Sequence, residues 1–279
     1  MKATRNLFFQ TIAATVLFGC QPAAERVPIT TLQERDTSHA RQIADYPSAV
    51  DAIVSVLDSR FGLSVPRYTL EIYSTSEAFE RGLVKYMGMD PALAQSTARF
   101  AKAGVGSGRV LINEPAIAEW SWPRRIEMLS HELVHTVQLQ LANNRSLVRN
   151  QWLTEGFAEW MTFHVTDALG FEDVAHATER MISQVRQVRR QGGLPRLVHV
   201  DSLAQWSAAR SKYGFQATYS LSFLVMDHLI ERHSYQAVVN YFQLFRVSDD
   251  HVANFSAAFG ESVDDFEADL EQHLALLLG

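Results

Sequence analysis

The chain has 279 residues, 47% hydrophobic and 20% charged, which excludes a disordered tail, a collagen-like fibre and a basic nucleic-acid arm. A formal charge of −6 leaves no electrostatic footprint for DNA or RNA, so no nucleic-acid partner is expected. The single cysteine excludes an internal disulfide and a four-cysteine zinc site, so a catalytic metal would have to be held by His, Asp or Glu.

Lys2 and Arg5 open the chain, and an apolar stretch over residues 7–18 follows, broken by Gln10, Thr11 and Thr15. It falls short of the roughly 20 apolar residues that span a bilayer. Residues 1–19 therefore read as a secretory signal peptide. Leu17-Phe18-Gly19-Cys20 resembles the bacterial lipobox, which implies that Cys20 becomes a lipidated first residue. Several acyl chains on Cys20 would bind a membrane firmly, where one chain binds only marginally. Gln21 is not the Asp that favours inner-membrane retention. The expected location is the bacterial cell envelope, lipid-anchored on the periplasmic face of the outer membrane. Residues 20–38, polar and carrying Pro22 and Pro28, form the lipidated N-terminus and tether. Residues 39–279 form the folded domain.

Tyr46, Val50, Ile53, Val54, Leu57 and Phe61 recur at helical spacing and predict a helix over 46–61. Residues 66–73 alternate, with Tyr68, Leu70 and Ile72 on the inner side of a half-buried strand. Ser74-Thr75-Ser76-Glu77 has the pattern of a capping box opening the next helix, and Asp90-Pro91 starts another. Gly104-Val105-Gly106-Ser107-Gly108 reads as a flexible turn. It is no phosphate cradle, because it lacks the Gly-Lys-Ser/Thr ending and precedes a strand rather than a helix. Residues 109–113 form that short strand. Helices are expected over about 123–142, 153–169, 172–191, 201–210, 216–233, 235–246 and 262–278. Arg186, Arg189 and Arg190 read as a solvated helix face. The fold class is α+β: a small mixed β-sheet followed by a predominantly helical domain, with the chemistry near their junction.

His131-Glu132-Leu133-Val134-His135 lies inside the expected 123–142 helix. Residues four apart share a helix face one turn apart, so both imidazoles can reach one tetrahedral ion at about 2.0–2.1 Å. Glu132 is rotated off their axis and can approach water at that ion without being a ligand, the zincin arrangement. Ile126, Leu129, Leu133, Val134 and Val137 make the helix largely buried, and buried histidines and a carboxylate need partners. Glu155 follows twenty residues after His135, across a short loop, where an antiparallel helix would return it as third ligand. Glu159, one turn on, is placed to accept the free ring N–H of a ligand histidine. Gly156 and Ala158 are small where helices must approach closely. The remaining histidines form no second ligand pattern and read as structural or surface residues, with His199 and His228 the first to inspect. Trp120, Trp122, Trp152 and Trp160 bracket the site helices and read as core packing.

With these residues, and with Trp152-Leu153-Thr154-Glu155-Gly156-Phe157-Ala158, the chain resembles the gluzincin clan of zinc metallopeptidases. The second motif is close to the Trp-Leu-Asn-Glu-Gly-Phe-Ala of M1 enzymes, with Thr154 at the Asn. The nearest likeness is to small bacterial peptidase MA-like domains, over roughly residues 65–275. The resemblance implies one Zn2+ per chain, held by His131, His135 and Glu155. It implies peptide-bond hydrolysis, with Glu132 as general base toward a zinc-activated water. It implies an edge strand pairing with the substrate, and Val110, Leu111 and Ile112 occupy the corresponding place. It implies a tyrosine that stabilises the oxyanion; Tyr219 is the first candidate and Tyr213 the second. The free-amine motif Gly-x-Met-Glu-Asn of M1 enzymes is missing, which favours cleavage within a chain. The expected partners are a peptide or protein substrate and, through Cys20, a membrane. The alternatives are a catalytically silent metal-binding lipoprotein and a helical envelope-assembly lipoprotein.

Overall fold

In a computed structural model of the chain, residues 43–279 are described, except Ser107, Ser146 and Val148. The signal peptide, Cys20 and the tether lie outside the described residues. The first described helix, α1 (Tyr46–Phe61), starts where Asp45 accepts the Ser48 amide and stops at Gly62, whose φ of 64° suits a residue without a Cβ. Next come β1 (Thr69–Tyr73), α2 (Ser76–Met87), α3 (Pro91–Ala98), β2 (Ala103–Gly106) and β3 (Arg109–Asn113). Thr75 caps α2 through the Ala78 amide, one position later than the Ser74 capping box expected. Asp90 caps α3 through the amides of Ala92 and Leu93, as the Asp-Pro pair predicts.

The three strands form one mixed sheet in the order β1-β3-β2. β1 runs parallel to β3 with Leu70 opposite Val110, and β2 runs antiparallel with Val105 opposite Val110. Two expectations are corrected here. The glycine run 104–108 is not a free turn, because its first half is strand β2. And Val110, Leu111 and Ile112 are not an edge strand. β3 is central, so both of its ladders are already filled, and all three side chains are fully buried. Val110 and Ile112 join the main core, while Leu111 faces the opposite side among Phe79, Leu83, Ala94 and Ala98. Ile72 also departs from the expected pattern, being 46% exposed near the end of β1.

The rest is helical: α4 (Trp122–Leu141), α5 (Gln151–Ala168), α6 (Val174–Gly192), α7 (Leu203–Tyr213), α8 (Phe215–Arg232), α9 (Tyr235–Leu244), α10 (His251–Phe259) and α11 (Val263–Leu278). A small mixed sheet followed by a mainly helical region is the α+β arrangement expected. The described residues belong to one compact unit, and none of their helices is long and apolar enough to cross a membrane. The sequence reading missed α10, although Asp250 caps its start and Gly260, at φ 74°, its end.

α5 is buried nearly all round, as a helix at the centre of a bundle must be. It packs on α4, α6 and α8. Gly156 is where α8 comes closest: a Cβ there would stand 2.5 Å from the Ser222 carbonyl oxygen. Arg186 and Arg189 are not merely solvated. Arg186 donates to the carbonyls of Leu277 and Leu278, and Arg189 to that of Leu274, so α6 satisfies the carbonyl end of α11.

Candidate metal centre

Ser121 precedes α4, and Pro123 sits in its first turn, where a missing amide proton costs no helical bond. The helix ends at Asn143 and Asn144, both with positive φ, a conformation Asn tolerates better than most residues. Asn150, also left-handed, then opens α5. Its amide nitrogen donates to Asp201, and its side chain donates to the Tyr241 hydroxyl at 2.9 Å. These bonds fix where α5 begins, and therefore where Glu155 falls. Thr154 meets Gln138, and Glu159 meets His131, so numbering rises along α5 as it falls along α4. The two helices run antiparallel, and the chain returns Glu155 to the histidines.

The three donors converge. Nε2 of His131 and Nε2 of His135 are 3.0 Å apart, and Oε2 of Glu155 is 3.2 Å from the first and 3.7 Å from the second. Two ligands bound at 2.0–2.1 Å to one tetrahedral ion stand about 3.3 Å apart. The observed separations bracket that value. Oε2 of Glu155 is buried and has no hydrogen-bond partner, a costly state for a carboxylate unless a cation faces it. The cluster could therefore hold a metal ion.

The outer nitrogens of both rings are also engaged. Gln138 donates Nε2 to the Thr154 carbonyl at 2.7 Å, and its Oε1 lies 2.7 Å from Nδ1 of His135. Glu159 Oε1 lies 3.0 Å from Nδ1 of His131, off the axis of its N–H. Glu159 thus stands where the sequence placed it. Gln138 was missed, although its position three residues after His135 on the same helix was a signal.

The charges are coupled. Burial pushes His131 down, but the carboxylates of Glu155 and Glu159 outweigh it and hold the imidazole well above its usual pKa. Burial pushes Glu155 up, yet the imidazoles of His131 and His135 beside it outweigh this and leave it well below the usual carboxylate range. Glu132 is raised by burial, against the pull of His131 and His135. Among the described residues its carboxylate has no hydrogen-bond or ion-pair partner.

Tyr219, in the second turn of α8, places its ring 5.8 Å from that of His131. Burial and the charge of Glu155 raise its hydroxyl well above the ordinary phenol. Tyr213 carries the Lys212 ammonium at 4.8 Å on its face, and no ring contact joins it to the histidines. Trp152 and Trp160 are buried in the core, with Trp120 and Trp122 packed against it. His228 is no part of the cluster: it pairs with Asp269 at 2.7 Å and stacks on His273. His199 closes a short 3-10 turn, Leu197–His199. Compared with known proteins, the chain matches no family model, no curated sequence and no solved structure.

Proposed function

We propose that this chain is a zinc-dependent peptidase of the gluzincin kind that cleaves within peptide chains. The observation that carries the reading is the convergence of two imidazole nitrogens and one carboxylate oxygen beside a half-buried, unpaired Glu132. Two nitrogens and one oxygen suit zinc, with a fourth position left for chemistry. A zinc ion held by His131, His135 and Glu155 supplies a Lewis acid that polarises a scissile carbonyl and makes water nucleophilic near neutral pH.

The chain's own residues do the rest. Glu132 takes a proton from the attacking water and passes it to the leaving amine; its raised pKa suits both steps. The Tyr219 hydroxyl stays protonated and donates to the oxyanion that forms at the carbonyl. Gln138 holds the His135 proton on Nδ1, and the Glu159 carboxylate close to Nδ1 of His131 favours a proton there, leaving Nε2 of each ring as the donor. β2, paired among the described residues with β3 alone and packed against α4, offers its outer ladder to an extended peptide. Cys20 at the end of the apolar leader supports attachment to the bacterial envelope, which makes the substrate a peptide or protein of that compartment.

The test begins with metal content. Mass spectrometry of the purified protein should find about one zinc per chain, lost in His135→Ala and Glu155→Ala. Glu132→Gln should keep the zinc and lose hydrolysis of a mixed peptide library. Tyr219→Phe should slow turnover by about 10²–10³-fold, the usual cost of one oxyanion donor. No zinc after dialysis against it, or undiminished hydrolysis by Glu132→Gln, would overturn the reading.

A further inference from the structure

The α7–α8 corner gathers three residues around Tyr219, whose ring meets His131 of the candidate metal cluster. Phe215, the first residue of α8, is 56% exposed and stacks on Tyr219 with ring centroids 4.4 Å apart. Arg210, in the last turn of α7, lays its guanidinium over Phe215 at 4.9 Å and lies 6.0 Å from the Tyr219 ring. Trp206 meets Tyr219 edge-on at 5.2 Å and closes the corner from behind.

Arg210 has no carboxylate and no hydrogen-bond acceptor for its guanidinium among the described residues. Other arginines here find one: Arg109 pairs with Glu71, Arg196 with Glu267 and Arg232 with Glu261. What sets Arg210 apart is its place. Through Tyr219 it lies within about 12 Å of the His131 ring, the span of three to four residues of extended chain at about 3.3–3.6 Å each. Of the three carboxylates at the cluster, Glu155 would face the zinc ion, while Glu132 and Glu159 leave negative charge beside it, which disfavours a second carboxylate there. The corner is therefore where a negative group of a bound peptide is met by an opposite charge. A guanidinium on an aromatic face keeps its fork of N–H donors, which matches a carboxylate bidentately.

We propose that Arg210, laid on Phe215, binds a carboxylate of the peptide substrate within three to four residues of the scissile bond, so that the site selects acidic peptides. This rests on the peptidase reading above. The carboxylate belongs either to an acidic side chain or to a free C-terminus, and one experiment separates the two.

The Glu132→Gln protein, with and without zinc, is titrated with N-acetyl-hexaalanine amide, with the six versions carrying one Glu, and with the N-acetyl-hexaalanine free acid. Binding is read by tryptophan fluorescence. At least one carboxylate peptide should bind about tenfold more tightly than the neutral parent, as a charge-assisted pair does. A Glu version winning identifies a side chain; the free acid winning identifies a C-terminus. Arg210→Gln on the same background should bring the ratio to one, and Arg210→Glu should transfer the preference to Lys-containing peptides, which a purely structural role would not do. If Arg210→Gln fails to fold, Arg210→Lys, which keeps the charge and loses the fork, should reduce the ratio. Equal binding of all peptides, no binding of any, or a preference that survives Arg210→Gln overturns the proposal. Failure of the peptidase reading shows separately, as missing zinc and missing hydrolysis in the unmutated protein.

Discussion

Gln138 settles the tautomer of His135. Its amide nitrogen donates to the Thr154 carbonyl, which can only accept, so the amide cannot be flipped. Oε1 must then face Nδ1 of His135 at 2.7 Å, and the proton between them belongs to the ring. Nε2 of His135 is left as a lone pair aimed at His131 and Glu155. One glutamine thus ties the start of α5 to the donor atom of a histidine on α4.

Gln138→Leu removes that constraint, together with the Gln138 bond to the Thr154 carbonyl. Zinc affinity, measured by competition with a chromogenic chelator, should fall about 10–100-fold, as when other such supporting groups are lost. Gln138→Glu restores an acceptor for Nδ1 and should keep more affinity than Leu. Equal affinity in Gln138→Leu and the unmutated protein would show that His135 is oriented by packing alone.

Gly156→Ala tests the closeness of α5 and α8. The added methyl would stand 2.5 Å from the backbone oxygen of Ser222, which cannot move as a side-chain tip can. Alanine is otherwise the better helix former, by about 1 kcal/mol. Overpacking costs about 1–3 kcal/mol and should win, so the urea midpoint falls. A raised midpoint would mean that the helices separate easily.

Arg125 ties the chain ahead of the metal helix to the helix itself. Its buried guanidinium donates to the carbonyls of Ile117, Ala118 and Trp120, to Glu114 and to the Tyr46 hydroxyl, which in turn donates to Glu114. Arg125→Met strands several acceptors and should cost about 2–4 kcal/mol in urea denaturation. Tyr46→Phe, which removes one member of the network, should cost about 1 kcal/mol. If Arg125→Met costs no more than Tyr46→Phe, the network does not hold this junction.

Glu261 gives the fold a pH dependence of known sign. Burial pushes its carboxyl up, but hydrogen bonds from Arg232 and His233 outweigh this and hold it below the usual carboxylate pKa. A depressed folded-state pKa contributes stability that is full above the unfolded value and is lost as pH falls through the folded one. The melting temperature should therefore drop as pH falls below the ordinary Glu range of about 4.3. Glu261→Gln should melt lower at neutral pH and show a shallower drop in acid. An unchanged slope in Glu261→Gln would assign the acid sensitivity to other carboxylates.

Much of the fold follows from local patterns. The helical spacing of Tyr46, Ile53, Leu57 and Phe61 marks α1 at its observed ends, and Asp90-Pro91 marks α3. His131, Glu132 and His135 lie on one helix, so their relation is set by 3.6 residues per turn and could be derived without a tertiary structure. Glu155 and Glu159 were nearly as accessible, because a short loop between two helices makes them antiparallel neighbours. What the sequence could not determine depends on contacts between segments far apart. Ala103-Gly104-Val105-Gly106 has no strand preference of its own; β3 pairs with it, and its glycines leave room for Met87, whose atoms would stand 3.0 Å from an added Cβ at either glycine. The same pairing turned β3 from an edge into a centre, since a strand's neighbours are not written in its own residues. The placing of Arg210 and Phe215 around Tyr219, whose ring meets His131, likewise depends on how α7 and α8 pack against α5, which local periodicity does not encode. Helix-local geometry made the candidate metal donors legible, and only long-range packing decided which side chains surround them.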